Sequence, residues 1–225
     1  MQIKPIAVIH TDFPTKFGVP RQSGITENDA TVVFLPKYRN ADAVRGLENF
    51  SHIWLIWQFS CNETQEKFIP TVRPPRLGGN EKVGVFASRS PFRPNPLGLS
   101  CLKLKGVELH PTLGPLLHVS GADLVDNTPI YDIKPYIPYT DSRADAFGGF
   151  AEGVKDYRLN VELAEDLAAV FPKEKFDSLL EILAQDPRPS YHEDESRIYG
   201  FPFAGFEIKF RVSGQKLTVT EIFKI

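Results

Sequence analysis

Two arginines, Arg89 and Arg93, ride on the stretch GVFASRSPFRPNPLGLS (84–100), where Pro91, Pro94 and Pro96 fix φ and push Ser90, Arg93 and Asn95 toward extended backbone. A guanidinium offers a planar fork of donors to carboxylate or phosphate, and a stiff loop loses little entropy when that fork engages an anion. The combination predicts a grip on a small anionic ligand. The competing reading is a proline-rich turn whose arginines are solvated. A second concentration of polar chemistry lies in DLVDNTPIYDIKPYIPY (123–139), which carries Asp123, Asp126 and Asp132 beside Lys134 and Tyr136. Asp126-Asn127-Thr128-Pro129 reads as a turn, and Asn127 suits the left-handed backbone that such a turn can require. Plain turn chemistry is the alternative there.

Charge is unevenly spread. Between Lys67 and Lys105 eight Lys/Arg face one acid, Glu81, whereas from Glu152 to Arg197 twelve acids face six bases, in a chain of net charge −2. A basic block in an acidic chain points to a polyanion held against one face, provided the bases do not scatter over several faces. Lys67, Arg73 and Arg76 sit in a Pro/Gly-rich loop inside that block, and Arg188 lies between two prolines in DPRPSY, echoing Arg93. The polar loop HTDFPTKFGVPRQSG (10–24) presents Arg21 and Gln22 behind a stiffening Pro20 and is long enough to wall a pocket. Several chemistries are disfavoured. No G-x-G-x-x-G follows a strand and opens a helix, and no P-loop, G-x-S-x-G or H-E-x-x-H occurs. Cys61 and Cys101 belong to no Cys/His cluster, so neither zinc nor a disulfide framework is indicated, and both are expected to be buried thiols in strands. No apolar run approaches the roughly 18 residues of a membrane span and the N-terminus is wrongly flanked for a signal peptide, which predicts a soluble, cytoplasmic protein.

The elements that must position these groups are mostly strands. Alternating or continuous apolar runs predict strands over 3–9, 31–35, 47–59, 83–87, 99–109, 116–120 and 130–137, with a short helix capped by Asn40 and stopped at Gly46. In SHIWLIWQF both faces are apolar, so this strand belongs in mid-sheet or in a covered barrel wall. Trp54 and Trp57 are read as core, with an aromatic platform for a base as the alternative, and His52 as a half-buried partner of a backbone group. So many strands with so little helix predict a mainly β fold, an antiparallel β-barrel over 1–141. A small, polar stretch over 142–155 reads as a linker. Over 156–225 the pattern changes to two helices (161–171, and from Phe176 to a stop at Asp186-Pro187) and a β-hairpin, a small α+β domain.

The strings VPRQSG, DAVRGLENFSHIW, RPPRLGG, GVFASRSPFRPNPLG, DNTPIYDIKPY and DPRPSY together resemble, in order and spacing and over nearly the whole chain, the TrmO-like family. These are S-adenosylmethionine-dependent methyltransferases acting on N6-threonylcarbamoyladenosine beside the anticodon of tRNA. The resemblance implies a cofactor-binding N-terminal barrel, a smaller C-terminal domain that assists tRNA binding or dimer contacts, and a homodimer. It places S-adenosyl-L-methionine contacts at Arg21, Gln22, Ser60, Cys61, Arg89, Asp126, Asn127, Thr128, Pro129 and Ile130. The methionine carboxylate would pair with Arg89 or Arg93, and Asp126 or backbone carbonyls would favour the sulfonium. The acceptor nitrogen is a poor nucleophile, its lone pair shared between ring and urea, so a general base or a hydrogen bond to the carbamoyl oxygen is expected, with Asp132, Lys134 and Tyr136 as candidates. Lys67, Arg73, Arg76 and Arg188 would hold tRNA phosphates. Three positions depart from the family pattern: Ser60 stands where His is frequent, Asn127 where Gly is usual, and Ser190 where Ala is usual. Competing functions are a non-catalytic RNA-binding or cofactor-sensing module and a methyltransferase with another acceptor.

Overall fold

The computed structural model describes residues 2–62, 67–74, 81–188 and 194–225. They fall into two compact units, Met1–Cys61 with Leu97–Ser142, and Asn62–Pro96 with Arg143–Ile225. In chain order the described strands are β1 (Ala7–Thr11), β2 (Asp29–Phe34), β3 (His52–Gln58), β4 (Thr71–Val72), β5 (Val83–Gly84), β6 (Leu97–His110), β7 (Gly114–Ser120), β8 (Thr128–Pro135), β9 (Asn160–Glu162), β10 (Tyr199–Phe203), β11 (Phe206–Ser213) and β12 (Lys216–Lys224). The helices are α1 (Pro138–Asp141), α2 (Glu165–Ala169) and α3 (Phe176–Ala184).

The first unit is a closed barrel in the order β1-β2-β7-β6-β3-β8, antiparallel throughout. Alternation along each strand sends Ile9, Val32, Ile53, Leu55, Leu102, Leu117, Val119 and Ile130 into a fully buried core. On the other face of β3, Trp54 packs at a tilt against Tyr136 and donates its indole N–H to Asp141 of α1. Trp57 faces the core, so neither ring is an open platform. His52 finds its partner in the Ser51 hydroxyl, not in a backbone group.

Closure rests on a short seam, in which β1 meets β8 only from Ala7 to Ile9, opposite Ile130 to Thr128. Beyond Ile130 the β8 edge has no β1 partner. Tyr136 donates to the His52 carbonyl, which by the antiparallel alternation turns the amide of Ile133 toward the open side. Two local devices blunt that edge: the Asp132 carboxylate accepts the Ile133 N–H at 3.0 Å, and Pro135 has no N–H to satisfy.

In the second unit β10-β11-β12-β9 form one sheet, with β9 parallel to β12, and β4 pairs with β5 in a separate ribbon. The predicted hairpin is therefore the middle of a four-stranded sheet. The helix expected over 161–171 shrinks to α2 because Val161 pairs with Leu217 as a strand instead. The second helix matches α3, whose Leu179, Ile182 and Leu183 are buried, and it stops where Asp186 takes φ +53° before Pro187. The strand expected over 83–87 is only the two residues of β5. Val85 is buried but Phe86 and Ala87 are exposed, and Ser88 folds back to bond the Val85 carbonyl. Cys61 lies exposed beyond β3 instead of inside a strand, while Cys101 is half-buried in β6, where burial and then the Asp141 charge push its thiol up.

One glycine is demanded by packing. Trp57 lies opposite Gly98, and a β-carbon on Gly98 would collide with the indole ring, whereas nothing lies within 4 Å of one built on Gly106 in the same strand. Gly98→Ala is expected to cost about 1–3 kcal/mol through overpacking. Gly106→Ala should change stability by less than about 0.5 kcal/mol. Urea denaturation of the two variants checks the contrast; equal losses would mean the indole yields without strain.

Candidate active site

The antiparallel barrel delivers the ends of β1, β3 and β8 that matter to one mouth. Thr11, Gln58 and Thr128 all lie at that end, and the loops 12–28 and 121–127 leave from it. The two loops are tied together. Buried Asn28 donates to the Ala122 carbonyl at 2.9 Å, accepts from Thr26 at 2.6 Å, and its own carbonyl takes the Gly121 N–H. Gly24 donates to the Gly121 carbonyl, and Gly121, at φ +87°, lies so close to Gly24 that a side chain there would crowd its backbone. Ser23 accepts the Cys101 N–H from β6. Arg21 and Gln22, both half-buried, are thereby carried on a loop pinned just beyond them, from Ser23 to Asn28.

Asp126 sits at the centre of this mouth. Its Oδ1 accepts the Thr11 N–H at 3.1 Å and lies 3.2 Å from His10 Nδ1, while Oδ2 accepts from the Asn127 amide at 2.6 Å. Its backbone N–H reaches the Phe13 carbonyl, and Thr11 Oγ1 donates to the Leu124 carbonyl. The turn takes the conformation expected of it, with Asn127 at φ +61°. Asn127 is exposed, Thr128 is buried with its hydroxyl on the Val125 carbonyl, Pro129 lies in the seam, and the Ile130 side chain is core. Of these five positions, Asp126 and Asn127 hold polar side chains at the rim. Ser60 and Cys61 are exposed just past β3. Behind the rim runs a polar chain: Trp57 donates to Ser100 at 2.9 Å and Ser100 donates to Asp123 at 2.6 Å.

The three catalytic candidates are drawn out along β8, away from this mouth. Asp132 pairs with Lys134 at 3.1 Å and Tyr136 lies against His52 and Trp54. At about 3.3 Å per residue, Asp132 is about 13 Å and Lys134 about 20 Å from Thr128 along the strand. Asp132 instead lines a cavity of about 620 Å³ beside the open β8 edge, with Ile6, Phe34, Tyr38, Leu47 and Ile133. The segment 36–49 that roofs it is held as expected, Asn40 capping a 3₁₀ turn through the Asp42 N–H and Gly46 taking φ +85°.

The remaining candidates belong to the second unit. Arg93 is turned back into its own loop, donating to the Ser88 carbonyl at 3.0 Å, whereas Arg89 is exposed. The two arginines that the sequence leaves equivalent are thus in different settings. Lys67 and Arg73 are exposed; Arg76 and Ser190 lie outside the described residues. Arg188 is 13% exposed and its Nε donates to Asp186 at 3.0 Å; Tyr157 donates to the same carboxylate, its hydroxyl pushed up by burial and then by that charge. His10, Thr11 and Asn28 were not among the expected site residues. A histidine at a strand end is the only local signal for the first, and nothing in spacing links residues 10 and 126.

Among the described residues no group of three or more His, Cys, Asp or Glu is placed to hold a metal ion, and no helix is long and apolar enough to cross a membrane. Family models for the tRNA-methyltransferase O N-terminal domain and the TrmO C-terminal domain match residues 8–142 and 156–225. A tRNA (adenine(37)-N6)-methyltransferase of Escherichia coli (strain K12) is 40% identical over 222 residues, covering 94% of this chain and 93% of that one. A putative S-adenosylmethionine-dependent methyltransferase of Pseudomonas aeruginosa is 40% identical over 207 residues, 88% of this chain and 87% of the other. A crystal structure of TrmO from P. aeruginosa superposes with a TM-score of 0.81 at 30% identity, covering 100% of this chain and 97% of that one. With both halves matched in order and the closed barrel in place, this chain belongs to the tRNA-methyltransferase O family.

Proposed function

We propose that this chain is an S-adenosylmethionine-dependent tRNA methyltransferase that methylates N6 of adenine 37, with N6-threonylcarbamoyladenosine as the acceptor. The observation that carries the reading is the pinned mouth around Asp126, where positions matched to the family's cofactor contacts lie on two loops cross-tied by hydrogen bonds. The chemistry suits the cofactor: the Asp126 carboxylate at the barrel mouth favours a cation beside it, and a guanidinium such as that of Arg89 matches a carboxylate. When bound beside Asp126, S-adenosylmethionine would supply an electrophilic methyl on its sulfonium for the acceptor N6, whose proton would leave to a base or to water.

Pinned loops hold their groups in place before the acceptor arrives, and holding the reacting atoms in near-attack geometry of about 3–3.5 Å is the main catalytic contribution assigned to this chain. In the proposed homodimer, Asp132, Lys134 and Tyr136 act on the acceptor from a second copy, because the length of β8 keeps them from the Asp126 mouth of their own. Arg89 pairs with the cofactor carboxylate and Arg93 keeps the loop that carries Arg89 rigid. Lys67 and Arg73 hold tRNA phosphate, with Arg188 in a supporting place, its charge already shared with Asp186. The barrel, 1–141, is the catalytic domain and 156–225 assists tRNA binding or dimer contacts, joined by 142–155. The protein works in the cytoplasm, where its tRNA is.

Nucleoside mass spectrometry after incubating threonylcarbamoylated tRNA with the protein and labelled S-adenosylmethionine tests the reading. One labelled methyl on that nucleoside is expected; label absent there but present on unmodified adenosine would contradict the acceptor, and cofactor binding without any transfer would favour a sensor. In single turnovers of the same assay, Asp132→Asn, Lys134→Ala and Tyr136→Phe are expected to slow transfer by about 10²-fold if these groups assist a proton transfer. Unchanged rates leave positioning alone. Separately, calorimetry with S-adenosylhomocysteine should show Arg89→Ala weakening binding about tenfold or more, as the loss of a charge-assisted hydrogen bond demands. Arg93→Ala should instead lower thermal stability and raise the backbone mobility of residues 88–93. The reverse pattern would exchange the two roles.

A further inference from the structure

Phe68 and Phe86 are 60% and 73% exposed, yet their rings are stacked on each other, with centroids 6.2 Å apart and planes 23° from parallel. Solvent-facing phenylalanines usually scatter singly; two held face to face are a built feature. The scaffold is the β4–β5 ribbon. Thr71 pairs with Gly84 and Val72 with Val83, the Val85 N–H bonds the Pro70 carbonyl, and buried Val85 anchors the hairpin so that its neighbour Phe86 must face outward. Phe68 comes from the chain leading into β4, two residues before Pro70. Along the same ribbon, Lys67 beside Phe68 and Arg73 and Lys82 at the other end are exposed, and Glu81 is the one acid among the described residues of 67–89.

Resting on the tRNA reading above, we propose that this ribbon is a base-stacking platform for unpaired nucleotides of the anticodon loop. Flat π faces accept any base, and the adjoining Lys67, Arg73 and Lys82 neutralise the phosphates that such bases carry with them; the two together are the chemistry of single-stranded nucleic-acid recognition. A partner protein matched to the same patch would need acidic groups around an apolar anchor, whereas an RNA loop supplies anion and aromatic in every nucleotide. The platform explains why exposed aromatics and bases share one short ribbon. It also gives the enzyme a hold on splayed nucleotides of the loop whose adenine must leave the stack to be methylated.

The test measures binding of a threonylcarbamoylated anticodon stem-loop to the full chain across a salt series. A Phe68→Ala/Phe86→Ala double variant should bind about tenfold or more weakly, as stacking on an aromatic side chain implies, with an unchanged slope of log affinity against log salt. Phe86→Trp should retain affinity. Lys67→Ala should lower the slope by about one unit. Because both rings are exposed, the double variant should melt within a few degrees of the parent and bind S-adenosylhomocysteine as well as the parent does. Unchanged RNA affinity in the double variant overturns the platform while leaving the methyltransferase reading intact. Lost affinity for the cofactor analogue would assign the rings to the cofactor's adenine, and a shift to a smaller species in sedimentation would assign them to a second copy; either overturns it. A parent protein that binds no anticodon stem-loop sinks the tRNA reading itself.

Discussion

The three-residue seam between β1 and β8 is what the rest of the first unit depends on. It joins the first and last strands of the barrel, so every other strand pairing is held closed by it, and three pairs of residues are a weak clasp. Asp126 reinforces it. Its carboxylate meets Thr11 and His10, and the turn's backbone bonds Ile9 and Phe13, so four contacts bind the start of β8 to the end of β1 across more than a hundred residues of chain, while Asn127 steadies the same carboxylate from within the turn. The mouth is thus held for the same reason that the barrel is closed. Polar groups at this end satisfy one another before any ligand arrives, which limits the entropy lost on binding.

The two ends of β8 solve different problems. At the Asp126 end the strand is clasped on both sides and leads into pinned loops. At the Pro135 end it is bare on one side, and Asp132 and Pro135 blunt the exposed edge while a cavity of about 620 Å³ opens beside it. An acidic residue can serve as edge cap or as catalyst, and its type alone does not decide between them. In one copy of the chain, four residues of strand, about 13 Å, separate Asp132 from Thr128 at the mouth.

Much of this was legible in the sequence because it is local. Asn127 was picked out as a residue for left-handed backbone, Gly46 as a helix stop, Asn40 as a cap, and SHIWLIWQF as a covered barrel wall; each is fixed by neighbours within a few residues. The mainly β fold and its barrel followed from the number of strands and the lack of crossover helices. What escaped is non-local or short. Val161 reads as the start of a helix until Leu217 offers it a strand partner, and the two-residue strands β4 and β5 are too brief to show a period. His10 has no reason to be linked to Asp126 before the barrel brings them together. Arg89 and Arg93 are alike in sequence, and only the folded loop shows that Arg93 is half-buried with its guanidinium on the Ser88 carbonyl.

Hydrogen–deuterium exchange with and without S-adenosylhomocysteine tests most directly the claim that the clasped mouth, and not the cavity at the other end, holds the methyl donor. The account predicts added protection over residues 10–24, 60–61 and 124–130, with residues 36–50 and 132–135 unchanged. Protection over 36–50 and 132–135, with the Asp126 turn unaffected, would contradict it.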